Sequence, residues 1–426
     1  MKLSLIGAGE RGMIYAKYAY EKKGTEIVAV VEPHTERRKI AAEKFQITES
    51  NCFDNVDDFF KKNIACDAVI IASMDKDHYG HAMKALRQGY HLLLEKPISP
   101  NIAECVDIWQ LANKMERKVI VCHVLRYTNF FSELKKILDS GELGKIITIQ
   151  HNENVGNFHI AHSFVRGNWR NSEQSSPIIM QKSCHDMDIL TWLVDSEAKR
   201  ISSFGSLAHF KEENAPKGST ERCSTCPLGE ECHYNAYRAY LPVRGSWPAT
   251  LLGSDQSEEG IRKALETSPY GRCVYRCDNN VCDHQVTLIE FKNGVHASFI
   301  LSGFTNQMSR TIKIMCEHGE IRAEDKGNII EVTKFNANTV EQIEQRIIRT
   351  KLVGGAHGGG DVLLMEDFLS KLEHSSEKGK TSIDRSIESH IIAYAAEEAR
   401  ITGNVIDIDE VKKKFMAKET SNALMN

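Results

Sequence analysis

One stretch near the start of the chain, residues 2–32, constrains the fold more than any other part. An apolar run that ends at Ile6 predicts a buried strand, and the turn Gly7-Ala8-Gly9-Glu10-Arg11-Gly12 follows it directly. A helical pattern and a second apolar run come next, and the second run ends on Glu32. A strand, a glycine-rich turn, a helix and a strand in this order predict a βαβ unit that binds a dinucleotide.

Each special residue of this stretch has a separate task in holding the dinucleotide. Gly7 permits the tight turn, Gly9 lets a pyrophosphate approach the backbone, and Gly12 lets the helix pack against the strand. The helix N-terminus offers free N–H groups to the phosphates. Glu32 lies where a carboxylate accepts hydrogen bonds from ribose hydroxyls, and it favours NAD over NADP because it would repel a 2′-phosphate. Two arginines, at positions 37 and 38, leave dual use open.

Composition and charge exclude several classes of protein. The chain has 426 residues and a formal net charge of −4, so nothing in its charge favours nucleic acid or an anionic membrane as a partner. No signal-peptide pattern precedes the first strand, and no apolar run is long enough to span a bilayer. We therefore expect a cytoplasmic protein with a small-molecule ligand.

The order of strand and helix patterns predicts two domains. Strands and helices alternate through residues 1–124, which predicts an α/β, doubly wound parallel sheet of the Rossmann type. Residues 125–426 predict an α+β domain with an open, mostly antiparallel sheet, and Asn293-Gly294 predicts a hairpin within it. A polar, cysteine-rich insertion occupies about residues 207–284 of this second domain.

Six cysteines of the insertion lie between Cys223 and Cys282, and this clustering favours metal ligation over disulfides. Cys223, Cys226 and Cys232 have the spacing of half a zinc site, and a fourth thiolate from the later part of the insertion would complete a structural, tetrahedral zinc site. Spacing alone does not choose between Cys273 and Cys277 as the fourth ligand. An iron–sulfur cluster uses the same ligands, and free or disulfide-bonded cysteines are the other interpretation.

Several further motifs, in a fixed order, carry a family resemblance. They are Asp77-His78, Glu95-Lys96-Pro97, Arg126-Tyr127 and His185-Asp186-Met187-Asp188. Together with the glycine turn they resemble the Gfo/Idh/MocA oxidoreductases, the family of glucose–fructose oxidoreductase and inositol dehydrogenase, over nearly the whole chain. The insertion resembles that of a cysteine-rich branch, through the run Tyr270 to Tyr275, and this favours Cys273 as the fourth zinc ligand.

The resemblance implies hydride transfer between nicotinamide and a carbinol of a sugar, sugar acid or cyclitol. It implies that Lys96 is the acid/base and His185 the proton relay. Pro97 fixes the turn after Lys96, and we expect a non-standard peptide bond before it, with cis as one candidate. The residues that it places around the cofactor, with the turn and Glu32, are Arg11, Ser73, His78 and Glu95. The substrate candidates are Arg126, Lys182, His284 and His357. For the histidines at 78, 284 and 357, an ordinary structural or surface histidine is the competing interpretation.

One departure from the family pattern opens an alternative. Many members have an aspartate four residues before the motif histidine, whereas this chain has Gln181, which cannot exchange a proton. An NAD-recycling glycosidase, as found among some relatives, is therefore the alternative function, and a cofactor-binding sensor is a third. The resemblance also predicts a homodimer or homotetramer, because family sheets commonly bury their open face by self-association.

Overall fold

The computed structural model describes residues 1–335, 344–351, 353–354, 356–373 and 378–416, which form two sheets flanked by helices. The strands are β1 Lys2–Ile6, β2 Glu26–Val31, β3 Cys52–Phe53, β4 Ala68–Ile71, β5 His91–Leu94, β6 Val119–Val121, β7 Ile146–Asn154, β8 Ala198–Ser206, β9 His284–Phe291, β10 His296–Ser302, β11 Ser309–Cys316, β12 Gly319–Glu324, β13 Ile329–Lys334, β14 Glu344–Arg349 and β15 Ile406–Asp407. The helices are α1 Glu10–Glu21, α2 Thr35–Phe45, α3 Val56–Lys62, α4 His78–Arg87, α5 Ile102–Lys114, α6 Asn129–Asp139, α7 Asn157–His159, α8 Ile178–Gln181, α9 Cys184–Val194, α10 Ala236–Tyr240, α11 Glu258–Thr267, α12 Gly360–Glu373, α13 Ile383–Thr402 and α14 Ile408–Met416. A π-helix, Ile160–Arg166, continues directly from α7.

The first sheet is parallel, with the strand order β3-β2-β1-β4-β5-β6. Every residue of β4 is buried, because helices cover both faces of a sheet of this kind. The strand order reverses between β1 and β4, and such a reversal opens a crevice at the carboxyl ends of the strands. The predicted α/β, doubly wound arrangement is confirmed.

The second sheet is mixed and mostly antiparallel, with the order β14-β13-β12-β11-β7-β10-β9-β8-β15. Strands β9 and β10 form the predicted hairpin, and Gly294 in its turn has a φ of +89°. Strands β7 and β10 pair in parallel, so the sheet is not a simple meander. Helix α13 packs against β8 and α9 on one face of this sheet. The opposite face leaves large apolar side chains exposed, among them Phe204 and Leu288.

Helix α12 returns to the first sheet late in the chain. Its residues Leu364 and Phe368 share a buried core with Leu3 of β1 and Tyr15 of α1. The spacing of these two residues places both side chains on one face of the helix, which packs on α1. This packing brings Asp361, in the first turn of α12, to the beginning of α1.

The insertion has a small core of its own, separate from the two sheets. It contains Tyr240 of α10 with Ile261 and Leu265 of α11. The side chain of Ser257 caps α11 by accepting a hydrogen bond from the N–H of Gly260 at 3.0 Å. Within the described ranges, no helix combines the length and the apolarity that crossing a lipid bilayer requires.

Candidate active site

The three glycines of the turn after β1 differ in the space that would be available to a side chain. A Cβ on Gly7, whose φ is +92°, would lie 2.5 Å from the carbonyl oxygen of Ala72. A Cβ on Gly12 would lie 2.0 Å from the carbonyl oxygen of Gly7, so helix and turn are in close contact there. A Cβ on Gly9 would meet no heavy atom within 4 Å. The turn therefore needs two glycines for its own shape and keeps open space over the third, at the N-terminus of α1.

Glu32 at the end of β2 forms the rim of this turn. Its Oε2 accepts a hydrogen bond from the N–H of Ala8 at 2.8 Å, and its Oε1 accepts one from the N–H of His34 at 3.0 Å. The carboxylate is therefore fixed beside the turn. Because a carboxylate has about four acceptor positions, each oxygen can accept a further hydrogen bond from a ribose hydroxyl.

Arg11 links the turn to two distant parts of the chain. Its Nε donates to Glu95 Oε1 at 3.0 Å, and its Nη2 forms an ion pair with Asp361, which is fully buried. Tyr15 also donates to Glu95 Oε1, at 2.8 Å. Burial raises the pKa of Glu95, but the charges of Arg11 and Lys96 outweigh it and the pKa is lowered. The guanidinium of Arg11 thus holds carboxylates in place.

Lys96 follows Glu95 at the end of β5, where the chain turns through a cis peptide bond to Pro97. The N–H of Lys96 donates to Glu95 Oε2 at 2.7 Å, which ties the backbone of the turn to the Arg11 cluster. The side chain extends to the second domain, where Nζ donates to the carbonyl oxygen of Gln181 at 2.8 Å. The ammonium therefore lies between the two sheets, at the N-terminal side of α9.

His185 on α9 is buried, and its Nδ1 has no hydrogen-bond partner within the part of the chain that the structure describes. Its ring centroid lies 5.5 Å from that of His123 and 6.4 Å from that of His357. Burial lowers the pKa of His185 well below its ordinary value, and the charge of Lys96 lowers it further. The imidazole is consequently neutral at pH 7.

A buried charge cluster lies beside Lys182. The Nζ of Lys182 is 3.4 Å from Glu153 Oε1 on β7, and the other oxygen of Glu153 pairs with Arg310 of β11. Arg310 Nε also donates to Asp186 Oδ1 at 2.8 Å. Burial lowers the pKa of Lys182, whereas Glu153 opposes that change. Of these residues only Lys182 was predicted from the sequence, because the sequence of a strand does not indicate which helix its residues face.

His357 belongs to the Arg11 cluster. Its Nδ1 is 3.1 Å from Asp361 Oδ2 and 3.4 Å from Arg11 Nη1. Burial lowers the pKa of His357, and the hydrogen bond to Asp361 opposes that change. Asp361 and Tyr15 were not predicted from the sequence. His357 has a φ of +49° and lies before α12, so the pairing rule for residues four apart on a helix gave no signal for its contact with Asp361.

Other candidates have protein partners of their own. Both ring nitrogens of His78 lie near backbone carbonyl oxygens, 2.7 Å from Pro97 and 3.1 Å from Ser73, so this buried histidine connects two loops beside the crevice. Ser73 Oγ lies 2.9 Å from His81 Nδ1. These contacts support the shape of the cofactor crevice, and a direct contact of either side chain with the cofactor stays a prediction.

Arg126 and His284 are also engaged. Arg126 makes a bidentate ion pair with Asp188 of α9, with Nε–Oδ2 and Nη2–Oδ1 distances of 2.6 and 2.7 Å, and both side chains are buried. His284 Nδ1 is 2.8 Å from Asp283 Oδ1 at the start of β9. Their predicted contacts with substrate stay predictions, and for Arg126 the structure adds a part in fixing α9 in place.

The four predicted zinc ligands line one cavity of about 20 Å³ in the insertion. They are Cys223, Cys226, Cys232 and Cys273. The Sγ of Cys223 accepts hydrogen bonds from Ala236 N–H at 3.5 Å and from Arg166 Nη2 at 3.8 Å. In the described residues, however, no group of three or more His, Cys, Asp or Glu side chains is placed to hold a metal ion, and the cysteines are free thiols. The predicted structural zinc is therefore not supported, because lining a common cavity is not tetrahedral ligation.

Comparison with known proteins relates both halves of the chain to one family. Residues 1–123 match the family model GFO_IDH_MocA, "Oxidoreductase family, NAD-binding Rossmann fold". Residues 135–400 match GFO_IDH_MocA_C, "Oxidoreductase family, C-terminal alpha/beta domain".

Individual relatives are distant. YteT of Bacillus subtilis (strain 168), which carries the name of an oxidoreductase, is 26% identical over 318 residues, or 72% of each chain. An inositol 2-dehydrogenase of Corynebacterium glutamicum is 26% identical, over 49% of this chain and 60% of its own length. Among solved structures, an oxidoreductase from Agrobacterium radiobacter in complex with NAD+, L-tartaric acid and magnesium has a TM-score of 0.70 and 16% identity, covering 96% of this chain and 99% of that one. At that identity the structural likeness concerns the fold alone.

Proposed function

This chain belongs to the Gfo/Idh/MocA oxidoreductase family, and we propose that it is an NAD-dependent dehydrogenase of a sugar, sugar acid or cyclitol. The observation that carries the proposal is the position of Lys96. Its ammonium projects from the carboxyl end of β5 and is held by the carbonyl of Gln181, close enough to His185 to affect its pKa. A basic group and a neutral imidazole thus share the crevice in which a Rossmann sheet binds its dinucleotide.

Residues on both sides of the turn fit the cofactor. The space over Gly9 and the N-terminus of α1 accommodate a pyrophosphate, and Glu32 can accept hydrogen bonds from the adenosine ribose. The same carboxylate supports NAD over NADP, because it would repel a 2′-phosphate at that position. Bound NAD would supply the acceptor for a hydride from the carbinol carbon.

The protein residues would manage the proton that the carbinol loses. In our proposal the uncharged form of Lys96 takes the hydroxyl proton as the C–H bond breaks, so that the carbinol becomes a carbonyl. His185, whose buried Nδ1 has no hydrogen-bond partner among the described residues, would receive this proton as the relay. His357 and Asp361 hold the Arg11 cluster in place and thereby position Glu95 and the backbone of Lys96.

NADH formation tests this function. Purified protein with NAD and a panel of free sugars, sugar acids and cyclitols should accumulate NADH with at least one compound. Lys96→Met should lower kcat by about 10²–10⁴-fold, the usual contribution of general acid–base catalysis, and leave NAD affinity unchanged. Lys114→Met, at the exposed end of α5, is the matched control and should retain full activity. Full activity of Lys96→Met would refute the assigned role.

The same assay separates the alternative function. An NAD-recycling glycosidase re-reduces its product, so it would cleave a glycoside without accumulating NADH. The comparisons give no support to that activity. Steady NADH production from a free sugar would exclude it as the net reaction.

We also propose self-association through the exposed face of the second sheet. Phe204 of β8 pairs with Val286 of β9, and Val286 pairs with Ile300 of β10, so their outward side chains form one apolar patch. Phe204 is 67% exposed and Leu288, on the same face, is 53% exposed. A patch of this kind on a soluble chain typically binds another protein, and a second copy of the chain buries it symmetrically. Light scattering should give a dimer or larger, and Leu288→Lys should lower the mass toward that of a monomer.

A further inference from the structure

The helical segment after β7, residues 157–166, lies between the candidate active site and the cysteine-rich insertion. On the insertion side, the ring centroid of Trp247 is 5.3 Å from that of His159, with the planes perpendicular. The ring of Tyr270 stacks on His162 at 4.7 Å, and Tyr240 Oη is 2.8 Å from His162 Nδ1. The insertion thus holds this segment through three aromatic side chains.

His159 is also within reach of the charges of the active site. Burial lowers the pKa of His159 well below its ordinary value, and the charges of Lys182 and Lys96 lower it further, so the imidazole is neutral. Its Nδ1 is buried and makes no hydrogen bond to any residue that the structure describes. A buried polar atom without a partner costs about 1–3 kcal/mol, so a ligand that supplies a hydroxyl at this point would relieve that cost.

The two ammonium groups that lower the pKa of His159 have few acceptors in the described residues. Lys96 Nζ donates to one carbonyl oxygen, that of Gln181, and forms no ion pair with the described residues. Lys182 Nζ has Glu153 at 3.4 Å, and the other oxygen of that carboxylate already pairs with Arg310. Each ammonium has three donors. The charge of Lys96 adds to burial in lowering the pKa of Lys182, so a ligand group with negative charge would stabilise the buried ammonium of Lys182.

We propose that this cleft selects an acidic sugar, in which Lys182 binds the carboxylate or phosphate group and His159 binds a neighbouring hydroxyl. Trp247 is a positioning residue that holds His159 in place. The cysteine-rich insertion would then contribute to substrate recognition through Trp247, a role that does not depend on its cysteines. The inference rests on the proposed dehydrogenase for the reaction, but the binding of an acidic sugar is independent of hydride transfer.

Calorimetry on the protein saturated with NADH tests this binding without turnover. The probes are the matched pairs D-galacturonate with D-galactose and D-glucuronate with D-glucose, together with D-glucose 6-phosphate, and sodium acetate and inorganic phosphate serve as free-anion controls. At least one acidic sugar should bind about tenfold or more tightly than its neutral partner, which corresponds to roughly 1.4 kcal/mol. The phosphate ester arm distinguishes a phosphate site from a carboxylate site.

Four variants at three positions then assign the residues. Lys182→Met should abolish the preference for the acidic partner, and His159→Asn should weaken both members of a pair. Trp247→Ala should weaken the acidic sugar several-fold, whereas Trp247→Phe should retain binding. All of them should bind NADH like the unmodified protein, which shows that they are folded.

Several results would overturn the inference. Equal affinity for the acidic and neutral partners, or no binding of any acidic probe while NADH binds, refutes the acidic-sugar site. Retention of the preference in Lys182→Met refutes the role of that lysine, and unchanged binding in Trp247→Ala refutes positioning by the insertion. Binding of an acidic sugar without NADH formation from NAD would uphold this inference and refute the proposed dehydrogenase.

Discussion

The glycine turn offers a prediction that separates the needs of the fold from the needs of the cofactor. Two substitutions of the same size, Gly9→Ala and Gly12→Ala, each add one methyl group to the first part of α1. A Cβ at Gly12 would lie 2.0 Å from the carbonyl oxygen of Gly7 and 3.1 Å from a methyl carbon of Leu5. An ordinary carbon–oxygen contact is about 3.3 Å, so helix or turn must move by more than about 1 Å.

The structural cost at Gly9 is much smaller. Its backbone is extended, with φ −72° and ψ −174°, so alanine is not strained there, and the added methyl group meets nothing within 4 Å. The change loses only the preference for glycine at a helix N-cap, which costs less than about 1 kcal/mol. Gly12→Ala should lower the free energy of unfolding by about 1–3 kcal/mol, because overpacking against backbone cannot relax easily.

NAD affinity should respond mainly to Gly9→Ala, the variant with the smaller expected effect on stability. The methyl group of Gly9→Ala would occupy the space that we assign to the pyrophosphate, so the Kd for NAD should rise at least about tenfold, or 1.4 kcal/mol. Urea unfolding of the ligand-free protein, followed by circular dichroism, gives the stabilities, and calorimetry gives the Kd. If Gly9→Ala binds NAD as tightly as the unmodified protein, the cofactor does not cross this turn and the assignment of the crevice is wrong.

Three more predictions test individual charges. Glu32→Ala should raise the Kd for NAD at least about tenfold, because a hydrogen bond to a charged group contributes roughly 1.5–3 kcal/mol. The change should also shift the preference toward NADP. An unchanged ratio of the Kd values for NADP and NAD would contradict this prediction. Arg126→Met should lower the free energy of unfolding by about 3–5 kcal/mol because it leaves the buried Asp188 unpaired, and adding Asp188→Leu should recover part of that loss; equal stability of the single and double variants would argue against it. Burial disfavours the charged form of Asp186, but Arg310 outweighs burial and the pKa is lowered to about 2. Because this pKa is below that of Asp186 in the unfolded chain, the ionised carboxylate stabilises the fold above about pH 4, and the stabilisation is lost as the pH falls toward about 2. Between these pH values the free energy of unfolding of Asp186→Asn should therefore fall by roughly 2 kcal/mol less than that of the unmodified protein, as measured by urea unfolding.

Sequence reasoning worked where the determinants are local. The tight turn at Gly7, the close packing at Gly12 and the non-standard peptide bond before Pro97 each depend on a few consecutive residues. Periodicity and glycine spacing report such features directly, because the backbone geometry that they need is set by adjacent positions. The hairpin at Gly294 was predicted for the same reason.

The missed residues depend on contacts across the chain. Arg11 and Asp361 are 350 positions apart, and only the packing of α12 on α1 brings them together. Arg126 and Asp188 are 62 positions apart, and nothing near either residue indicates its partner. The predicted zinc site failed for the opposite reason. The cysteine spacing correctly indicated that Cys223 and the other thiols lie near one cavity, but spacing does not fix the side-chain directions that metal ligation in the described residues would need.

The departure at position 181 takes on a different meaning once the contacts are known. From sequence, Gln181 in place of aspartate predicted a broken proton-exchanging pair with His185. In the structure the main-chain carbonyl of Gln181, not its side chain, accepts the hydrogen bond from Lys96. Any residue at this position can supply that carbonyl, so the substitution leaves the placement of Lys96 unaffected. What it changes is the charge at this position, because a neutral amide replaces a carboxylate in the residue that directly precedes Lys182. One negative charge fewer next to Lys182 repels an anionic substrate less, so the departure from the family pattern at Gln181 agrees with the proposed selection of an acidic sugar.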